Sequence, residues 1–561
     1  MANRNKNSDA SFLMQGSILA IASIISRIVG FIYRIPLTDI LGDKGNNYYS
    51  TAYEIYNILL IISSYSIPLA VSKLVSARMA KGQAKDAKRV LQSALLFAFT
   101  SGLIATLVLY IGSEFFCGSM LKTPLAAIAV KVLAPTIFIF AILSVLRGFF
   151  NGLGTMIPTA VSQVLEQIVN AVVSVVAAGI LFKYGKKVGG VLGHPQKYAA
   201  AFGAAGGTLG TLLGAVFALI FMCFVFFAFK NVFAKMLARD KHKRSEGYYD
   251  ILVSLLLTIF PVLLSTTVYN INAIIDNGIY KNLAMLQGYK ENFIEISWGI
   301  FGGKYKVLIN VPIAIASSMA ASAVPSLTAA IHSGDNALVR RRINMANRFI
   351  MVIAFPCAVG LSVLASPILI SLWGDTREMS ARMLMLGGCT VIFTSLSTLS
   401  NGVLQGINQM MIPVKNALLS LVAHVAVLFL LMEVFHLHIY AVIISQAFYS
   451  LMMCFLNQSA VARFSGSYIN VRKVIIAPLE ASAVMGLVVY LIYKMFNAIF
   501  ALGISSVRMT NLLSCVIAIV IGVVVYFISL FVFKGIDEET LLKFPGGNKL
   551  CNIAYSLHLL R

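Results

Sequence analysis

Charged residues are scarce in this sequence, and their scarcity excludes a soluble protein of this length. Only 12% of the 561 residues are Asp, Glu, Lys or Arg, whereas 59% are hydrophobic and the mean hydropathy is +0.86. Soluble domains carry about 25% charged residues. Apolar runs recur along the whole chain at lengths near the ~20 residues that a helix needs to cross a bilayer. We therefore predict a polytopic membrane protein.

Alternation of apolar and polar residues is also missing from these runs, which excludes an outer-membrane barrel. LLGAVFALIFMCFVFFAFK is continuously apolar, whereas a barrel strand alternates over about ten residues. Backbone groups inside lipid must then be satisfied within helices. The predicted fold class is an all-α polytopic membrane protein.

Motifs of catalysis, nucleotide binding and metal binding are absent from the sequence. The seven cysteines form no CxxC pair, and there is no P-loop, HExxH or GxSxG. An ATP-driven pump, a zinc or disulfide framework and a hydrolase are therefore unsupported. We predict a protein that is not an enzyme and holds no cofactor, and coupling to the membrane potential, Na⁺ or H⁺ stays open.

Basic residues outnumber acidic ones, 44 to 21, and gather in loops such as RMAKGQAKDAKR, KNVFAKMLARDKHKRSEG and VRRRINMANR. Cytoplasmic loops of membrane proteins carry such an excess. We therefore predict that both termini and these loops are cytoplasmic. The charges are spread over many loops and do not interleave with aromatics on one domain, which argues against a nucleic-acid partner.

Polar residues, glycines and prolines divide the sequence into about fourteen predicted transmembrane helices. The first is interpreted as a retained helix, because it is too long for a signal-peptide core. The predicted spans are 11–41, 47–78, 89–116, 123–148, 156–183, 200–230, 249–283, 298–331, 343–373, 380–407, 411–435, 438–463, 473–497 and 509–534.

Two stretches of the first half recur in the second half at an offset of about 255 residues. RGFFNGLGTMIPTAV aligns with NGVLQGINQMMIPVKN, and SIPLAVSKLVSARMAKGQAKDA aligns with AVPSLTAAIHSGDNA. An even number of predicted helices separates equivalent points, so the halves share one orientation in the membrane. We predict two pseudo-symmetric six-helix bundles, at residues 1–235 and 236–466, followed by residues 467–561 with two more helices and a cytoplasmic tail.

SRIVGFIYRIPL, in the first predicted span, carries two arginines, Arg27 and Arg34. Because they are seven residues apart, they share a helix face and lie about 10 Å apart along the axis. A charge inside the membrane is costly unless it is paired or faces water, which favours a functional role for Arg27. Arg34 can equally reach the outer interface by snorkelling. Gly30 and Pro36 on the same helix are compatible with a bend.

Three acidic residues, Glu54, Glu166 and Asp276, are predicted to lie deep within spans. Pairing with basic residues is the structural interpretation of each, and contact with a transported solute is the functional one. Lys304 and Lys306 open the eighth span, where an interfacial anchor and a cavity contact are the two alternatives.

Several stretches resemble a known family: SRIVGFIYR, IPLAVSKLVSARMAKGQAKDAKR, RGFFNGLGTMIPTAVSQVLEQIVN and PIAIASSMAASAVPSLTAAIHSGD. Together they resemble the multidrug/oligosaccharidyl-lipid/polysaccharide exporter superfamily, in the branch of stage V sporulation protein B and the lipid II flippases. The resemblance covers nearly the whole chain. It implies two six-helix bundles arranged as a V, a cationic central cavity, alternating access, and two additional helices, here 473–497 and 509–534.

By position, the resemblance implies that Arg27, Arg34 and Lys306 are cationic residues of that cavity. The second span, ILLIISSYSIPLAV, is uncharged where some lipid II flippases carry an arginine pair, which favours the sporulation-protein-like side of the branch. Arginine suits a pyrophosphate because its guanidinium binds such anions through two parallel hydrogen bonds. The substrate-binding residues predicted from sequence are Arg27, Arg34, Lys306, Glu54, Glu166 and Asp276.

The function implied is a flippase of the bacterial plasma membrane that moves an undecaprenyl-linked cell-wall precursor, lipid II, to the outer leaflet. One alternative is an exporter of another lipid-linked polysaccharide unit. A cation-coupled multidrug antiporter is a more distant alternative, because the basic first helix disfavours cationic drugs. The expected partners are the lipid-linked oligosaccharide and membrane lipids. We expect a monomer, and association with cell-wall synthesis enzymes stays open.

Overall fold

The computed structural model describes residues 2–240, 246–332 and 335–535, which contain helices and turns and no β-strand. These residues include twelve helices that are long and apolar enough to cross a membrane. The predicted all-α polytopic fold class is therefore confirmed. One of the twelve, Ile21–Ala80, is 60 residues long and covers two predicted spans. The total of about fourteen stays a prediction.

The chain forms two compact units, the first ending at Gly303 and the second beginning at Lys304. The first contains α1 (Ala2–Leu60), α2 (Ile67–Ala80), α3 (Ala84–Glu114), α4 (Ala126–Gly152), α5 (Ile157–Val191), α6 (Pro195–Arg239), α7 (Tyr248–Asn270), α8 (Asn272–Leu286) and α9 (Glu291–Ile300). The second contains α10 (Lys306–His332), α11 (Asn336–Val363), α12 (Ala365–Trp373), α13 (Glu378–Gly406), α14 (Met411–Glu433), α15 (His438–Ser465), α16 (Ala477–Ala501) and α17 (Val507–Val532). Short π-helical turns at 61–65, 115–120, 301–305 and 472–476 interrupt the succession.

The boundary between the units follows from how α7 and α9 pack. Helix α7 packs against α2 and α3, and α9 packs against α1, so these later helices belong with the first six. The six-helix bundles predicted at 1–235 and 236–466 describe a repeat in the sequence, and they stay a prediction. Of the predicted third segment, residues 536–561 lie outside the described residues.

Helix α1 changes direction at Gly42, which is the non-helical residue within it (φ 62°, ψ −179°). A positive φ is open to glycine at no steric cost, and other residues rarely adopt it. The break separates the predicted spans 11–41 and 47–78. Pro36 lies inside the helical part before Gly42, so the change of direction comes six residues after the proline.

Small residues bring the helices of the first unit close together. A Cβ atom on Gly206 would lie 2.5 Å from the Ala177 carbonyl oxygen, so α5 and α6 pack with their backbones in contact. At Gly299 of α9 the added Cβ would lie 1.8 Å from the carbonyl oxygen of Asp43 in α1. Such small-residue contacts are the usual way that helices pack in membranes, where lipid removes much of the hydrophobic driving force.

In the second unit, α13 packs against α10, α11 and α15, and the α16–α17 hairpin packs on α11 and α12. Arginines hold both ends of α17. Arg508 at its beginning donates to the Ser371 carbonyl oxygen at 3.0 Å and to the Leu372 carbonyl oxygen. Arg348 of α11 donates twice to the Gly535 carbonyl oxygen beyond its end, at 2.9 and 2.7 Å. The bonds from Arg508 satisfy carbonyl groups in the last turn of α12, which a helix end leaves without partners.

Candidate functional site

Arg34 of α1 stacks on an aromatic ring and keeps one donor without a partner. Its guanidinium carbon lies 4.4 Å from the centroid of the Tyr49 ring, across the break at Gly42. The Nη1 atom of Arg34 is buried and has no hydrogen-bond partner among the described residues. A buried donor on a charged group that is left unsatisfied is costly, so this atom suits an anionic ligand.

Tyr49 belongs to a row of tyrosines on α1. Its ring centroid lies 4.6 Å from that of Tyr53, which in turn lies 5.8 Å from that of Tyr56. The spacing of four and three residues places the three rings on one face of the helix. The Tyr53 hydroxyl also contacts the Thr211 hydroxyl of α6. The row therefore joins α1 to α6 next to Arg34.

An amide on α5 extends this network. The Asn170 side-chain oxygen accepts hydrogen bonds from Ser174 at 2.9 Å and from Thr211 at 3.3 Å. The Asn170 side-chain nitrogen donates to the Tyr33 hydroxyl at 3.4 Å. Three helices thus meet in a polar network around the residues that flank Arg34. Sequence reasoning missed this network, because no local pattern relates residues of α1 to partners more than 130 positions away.

Arg27 lies about two turns before Arg34 on α1 and is exposed. It forms no hydrogen bond or ion pair among the described residues. Nearby, Ser26 donates to the Gln163 carbonyl oxygen at 3.5 Å, so this part of α1 rests on α5. Among the described residues, Arg27 is therefore not paired with a buried acid.

Glu166 forms an ion pair with a residue that sequence reasoning did not select. The Arg147 Nη2 atom lies 2.8 Å from a Glu166 carboxylate oxygen, and Arg147 Nε donates to the Ser162 hydroxyl at 2.9 Å. Both side chains are mostly shielded, with 11% and 21% exposure. The pair joins α4 to α5 across their short connection, which favours the structural interpretation of Glu166. Antiparallel packing of two consecutive predicted helices is the signal that could have revealed it.

Glu54 and Asp276 lie in a buried polar cluster between α1 and α8. Glu54 accepts a hydrogen bond of 2.6 Å from Asn277, the neighbour of the fully buried Asp276. Lys281, one turn along α8 and 1% exposed, donates to the hydroxyls of Thr51 at 3.0 Å and of Thr123 at 2.7 Å. The structure thus brings two of the predicted acids into one region. It also adds Lys281, which shares the helix face of Asn277 at a spacing of four residues.

The two lysines predicted at the eighth span have different environments. Lys304 Nζ lies 2.6 Å from an Asp375 carboxylate oxygen, and that carboxylate also binds Arg377 at 2.7 Å. Burial alone would raise the pKa of Asp375, but the hydrogen bonds from Arg377 and Lys304 outweigh it and hold the pKa well below its usual range. Lys304 is thus tied to the turn before α13. Lys306, the first residue of α10, is half-buried.

These features define the class of the protein. Membrane-length helices with arginines, lysines and carboxylates buried among hydroxyls and amides are typical of a multi-pass membrane transporter, since polar residues in membranes mark transport pathways. The sequence profile of the family described as polysaccharide biosynthesis protein matches residues 12–330, and the chain belongs to this family.

Characterised relatives agree with this placement. The chain is 25% identical to the lipid II flippase MurJ of Bacillus subtilis strain 168 over 433 residues, which cover 74% of this chain and 76% of that protein. It is 29% identical to stage V sporulation protein B of the same organism over 153 residues, which cover 27% of this chain and 30% of that protein.

Solved structures show the same fold. A lipid II flippase MurJ in an inward closed conformation matches with a TM-score of 0.62 at 15% identity, covering 92% of this chain and 98% of that one. An inward-facing multidrug resistance MATE family transporter of the MOP superfamily matches with a TM-score of 0.63 at 16% identity, covering 81% and 99%. The predicted membership in the multidrug/oligosaccharidyl-lipid/polysaccharide exporter superfamily, in the sporulation protein and lipid II flippase branch, is confirmed.

Proposed function

We propose that the chain is a flippase that moves an undecaprenyl-pyrophosphate-linked cell-wall precursor, lipid II, from the inner to the outer leaflet by alternating access. The observation that carries the proposal is the unpartnered, buried Nη1 of Arg34 on its tyrosine support. A pyrophosphate needs such charge-assisted donors, because its charge cannot enter hydrocarbon unaided. The similarity to a lipid II flippase over most of the chain supports the same substrate class.

Arg27 and Arg34 are the residues to which we assign the pyrophosphate. Both lie on the part of α1 before Gly42, and neither makes an ion pair among the described residues. For Glu54, Glu166 and Asp276 we propose a structural role instead, since the two glutamates bind neighbouring helices and carboxylates repel a pyrophosphate. The contribution of Lys306 stays a prediction.

The proposed energy source is the membrane potential. Moving a doubly negative headgroup outward from a negative interior gains ~2.3 kcal/mol per charge per 100 mV. We therefore propose that the chain catalyses no reaction to drive transport. Coupling to Na⁺ or H⁺ is the alternative, and collapsing the potential at a constant ion gradient separates them. An unchanged flipping rate would rule out the potential as the driving force.

Substrate choice is tested by flipping in proteoliposomes that contain the purified full chain. Lipid II, a lipid-linked sugar on the same pyrophosphate carrier and a monophosphate-linked sugar would be compared at equal concentration. We expect lipid II to be flipped fastest and the monophosphate-linked sugar to be flipped poorly. Preference for the second substrate would instead support the alternative, an exporter of another lipid-linked polysaccharide unit. Export of a cationic drug with none of the lipids flipped would refute the proposal.

The proposed setting is the bacterial cytoplasmic membrane with both termini inside. Single cysteines at Lys235 and Asn336, in a background without other cysteines, should resist a membrane-impermeant maleimide in intact cells. The expectation rests on the basic loops around these positions. Labelling of both positions would reverse the orientation.

A further inference from the structure

Stacking on Tyr49 fixes the plane of the Arg34 guanidinium while leaving its donors available. The distance of 4.4 Å between the guanidinium carbon and the ring centroid is a cation–π contact over the ring face. The N–H groups of a guanidinium point outward in its plane, so a ring on one face blocks none of them. The buried Nη1 can therefore be held in place and still bind an anion.

The Tyr49 ring is itself held from several sides. It is 3% exposed, and the Tyr53 ring lies 4.6 Å away at an interplanar angle of 34°. On the α6 side, a Cβ on Gly207 would come within 3.0 Å of the Tyr49 Cε2 atom, so the helix backbone closes over the ring. The neighbouring tyrosines Tyr33 and Tyr53 are themselves hydrogen-bonded to Asn170 and Thr211. A ring packed in this way keeps its position against the Arg34 guanidinium.

We infer that Tyr49 is a positioning residue, which holds Arg34 so that its guanidinium meets a pyrophosphate group without first being ordered. This inference rests on the proposed function. An arginine side chain loses rotamer entropy when it is fixed in one position. Because Tyr49 fixes the side chain before the ligand arrives, this cost falls on folding and not on binding.

The chain offers a matched control for this inference. Tyr56 lies on the same face of α1 two turns further along, is 2% exposed, and ends the row of rings. Its ring lies against Tyr53, whereas the cation–π contact of Arg34 is with Tyr49. Replacing Tyr56 with leucine therefore removes a similarly buried tyrosine from the same helix, and the loss of packing can be subtracted.

The experiment measures binding of inorganic pyrophosphate to the detergent-solubilised full chain by calorimetry, with the melting temperature of each variant. Tyr49→Leu should weaken binding on the order of tenfold. Tyr49→Phe, which keeps the ring, should stay within about twofold, and Tyr56→Leu should bind like the unchanged chain. Tyr49→Met fills the space without an aromatic face and should behave like Tyr49→Leu. In an Arg34→Ala background, Tyr49→Leu should have no further effect.

Two results overturn the inference in different ways. If Arg34→Ala loses binding while Tyr49→Leu binds like Tyr56→Leu, the positioning role is wrong and the proposed function stands. If Arg34→Ala binds pyrophosphate like the unchanged chain, the assignment of Arg34 in the proposed function fails, and the role of Tyr49 fails with it.

Discussion

Asp375 gathers several hydrogen bonds on one carboxylate, and we expect its removal to destabilise the second unit strongly. It accepts from Lys304 at 2.6 Å, from Arg377 at 2.7 and 2.8 Å and from Ser380 at 2.8 Å. The side chains of Asp375 and Lys304 are 3% and 9% exposed. Removing one partner of a buried ion pair costs about 3–5 kcal/mol, because the other charge stays buried without it. Asp375→Ala should therefore cost this amount.

The cost of breaking the Lys304–Asp375 ion pair can also be measured by replacing Lys304. Lys304→Met removes the ammonium but leaves Asp375 its bonds to Arg377 and Ser380, so the expected cost is about 1.5–3 kcal/mol. The double variant should be more stable than the sum of the two single losses indicates, because it leaves neither Asp375 nor Lys304 without its partner.

Thermal unfolding of the detergent-solubilised protein measures these costs. At ~2–4 °C per kcal/mol for a unit of 150–250 residues, Asp375→Ala should lower the melting temperature by roughly 6–20 °C. Ser380→Ala, which removes one neutral donor, is the control and should lower it far less. A drop for Asp375→Ala no larger than that of Ser380→Ala, or strict additivity in the double variant, would refute the reasoning.

The effect of pH follows from the lowered pKa of Asp375. A carboxylate with a pKa lower in the folded than in the unfolded chain adds stability above the unfolded pKa, near 3.9. That stability is lost as the pH falls through the folded pKa. The difference in melting temperature between the unchanged chain and Asp375→Ala should stay constant from pH 8 to 5 and narrow below about pH 4. A difference that changes between pH 6 and 8 would contradict this assignment.

Three further predictions concern the first unit. Glu166→Gln should cost about 1.5–3 kcal/mol of stability through its pair with Arg147, with flipping per folded molecule unchanged; a selective loss of flipping would instead place Glu166 in the transport site. Lys281→Met should lower the melting temperature because two buried hydroxyls lose their donor, and an unchanged value would show that the ammonium adds nothing. Gly299→Ala should abolish folding or separate α9 from α1, whereas Gly179→Ala, which meets no atom within 4 Å, should be tolerated; equal stability of the two would contradict the close contact with Asp43.

The fold was predictable from the sequence because membrane-spanning helices can be recognised by their length and hydropathy. The polar residues after Gly42 placed the break between the predicted spans 11–41 and 47–78, but they did not show that the helix continues directly on both sides of Gly42. The sequence also singled out Arg34 as a charge in an apolar span. Its contact with Tyr49 could not be predicted, because that contact depends on the geometry of the break between them.

The partners in the buried ion pairs were not identified from the sequence. Glu166 and Arg147 are 19 positions apart, and their meeting depends on the register of two antiparallel helices. Lys304 and Asp375 are 71 positions apart and meet through the packing of the second unit. Periodicity places a residue on a face of its own helix, but it does not say which face of another helix lies opposite.

Flipping of lipid II by proteoliposomes that contain Arg27→Ala or Arg34→Ala, with the melting temperature of each variant, tests the central claim most directly. Charge-assisted contacts to a pyrophosphate contribute about 1.5–3 kcal/mol each, so each variant should lose flipping by about tenfold or more at an unchanged melting temperature. Arg27→Lys should recover only part of the loss, since lysine keeps the charge without the fork. Arg382→Ala, which removes an exposed arginine elsewhere, should flip at the rate of the unchanged chain. Normal flipping by both the Arg27 and Arg34 variants, at normal stability, would contradict the account.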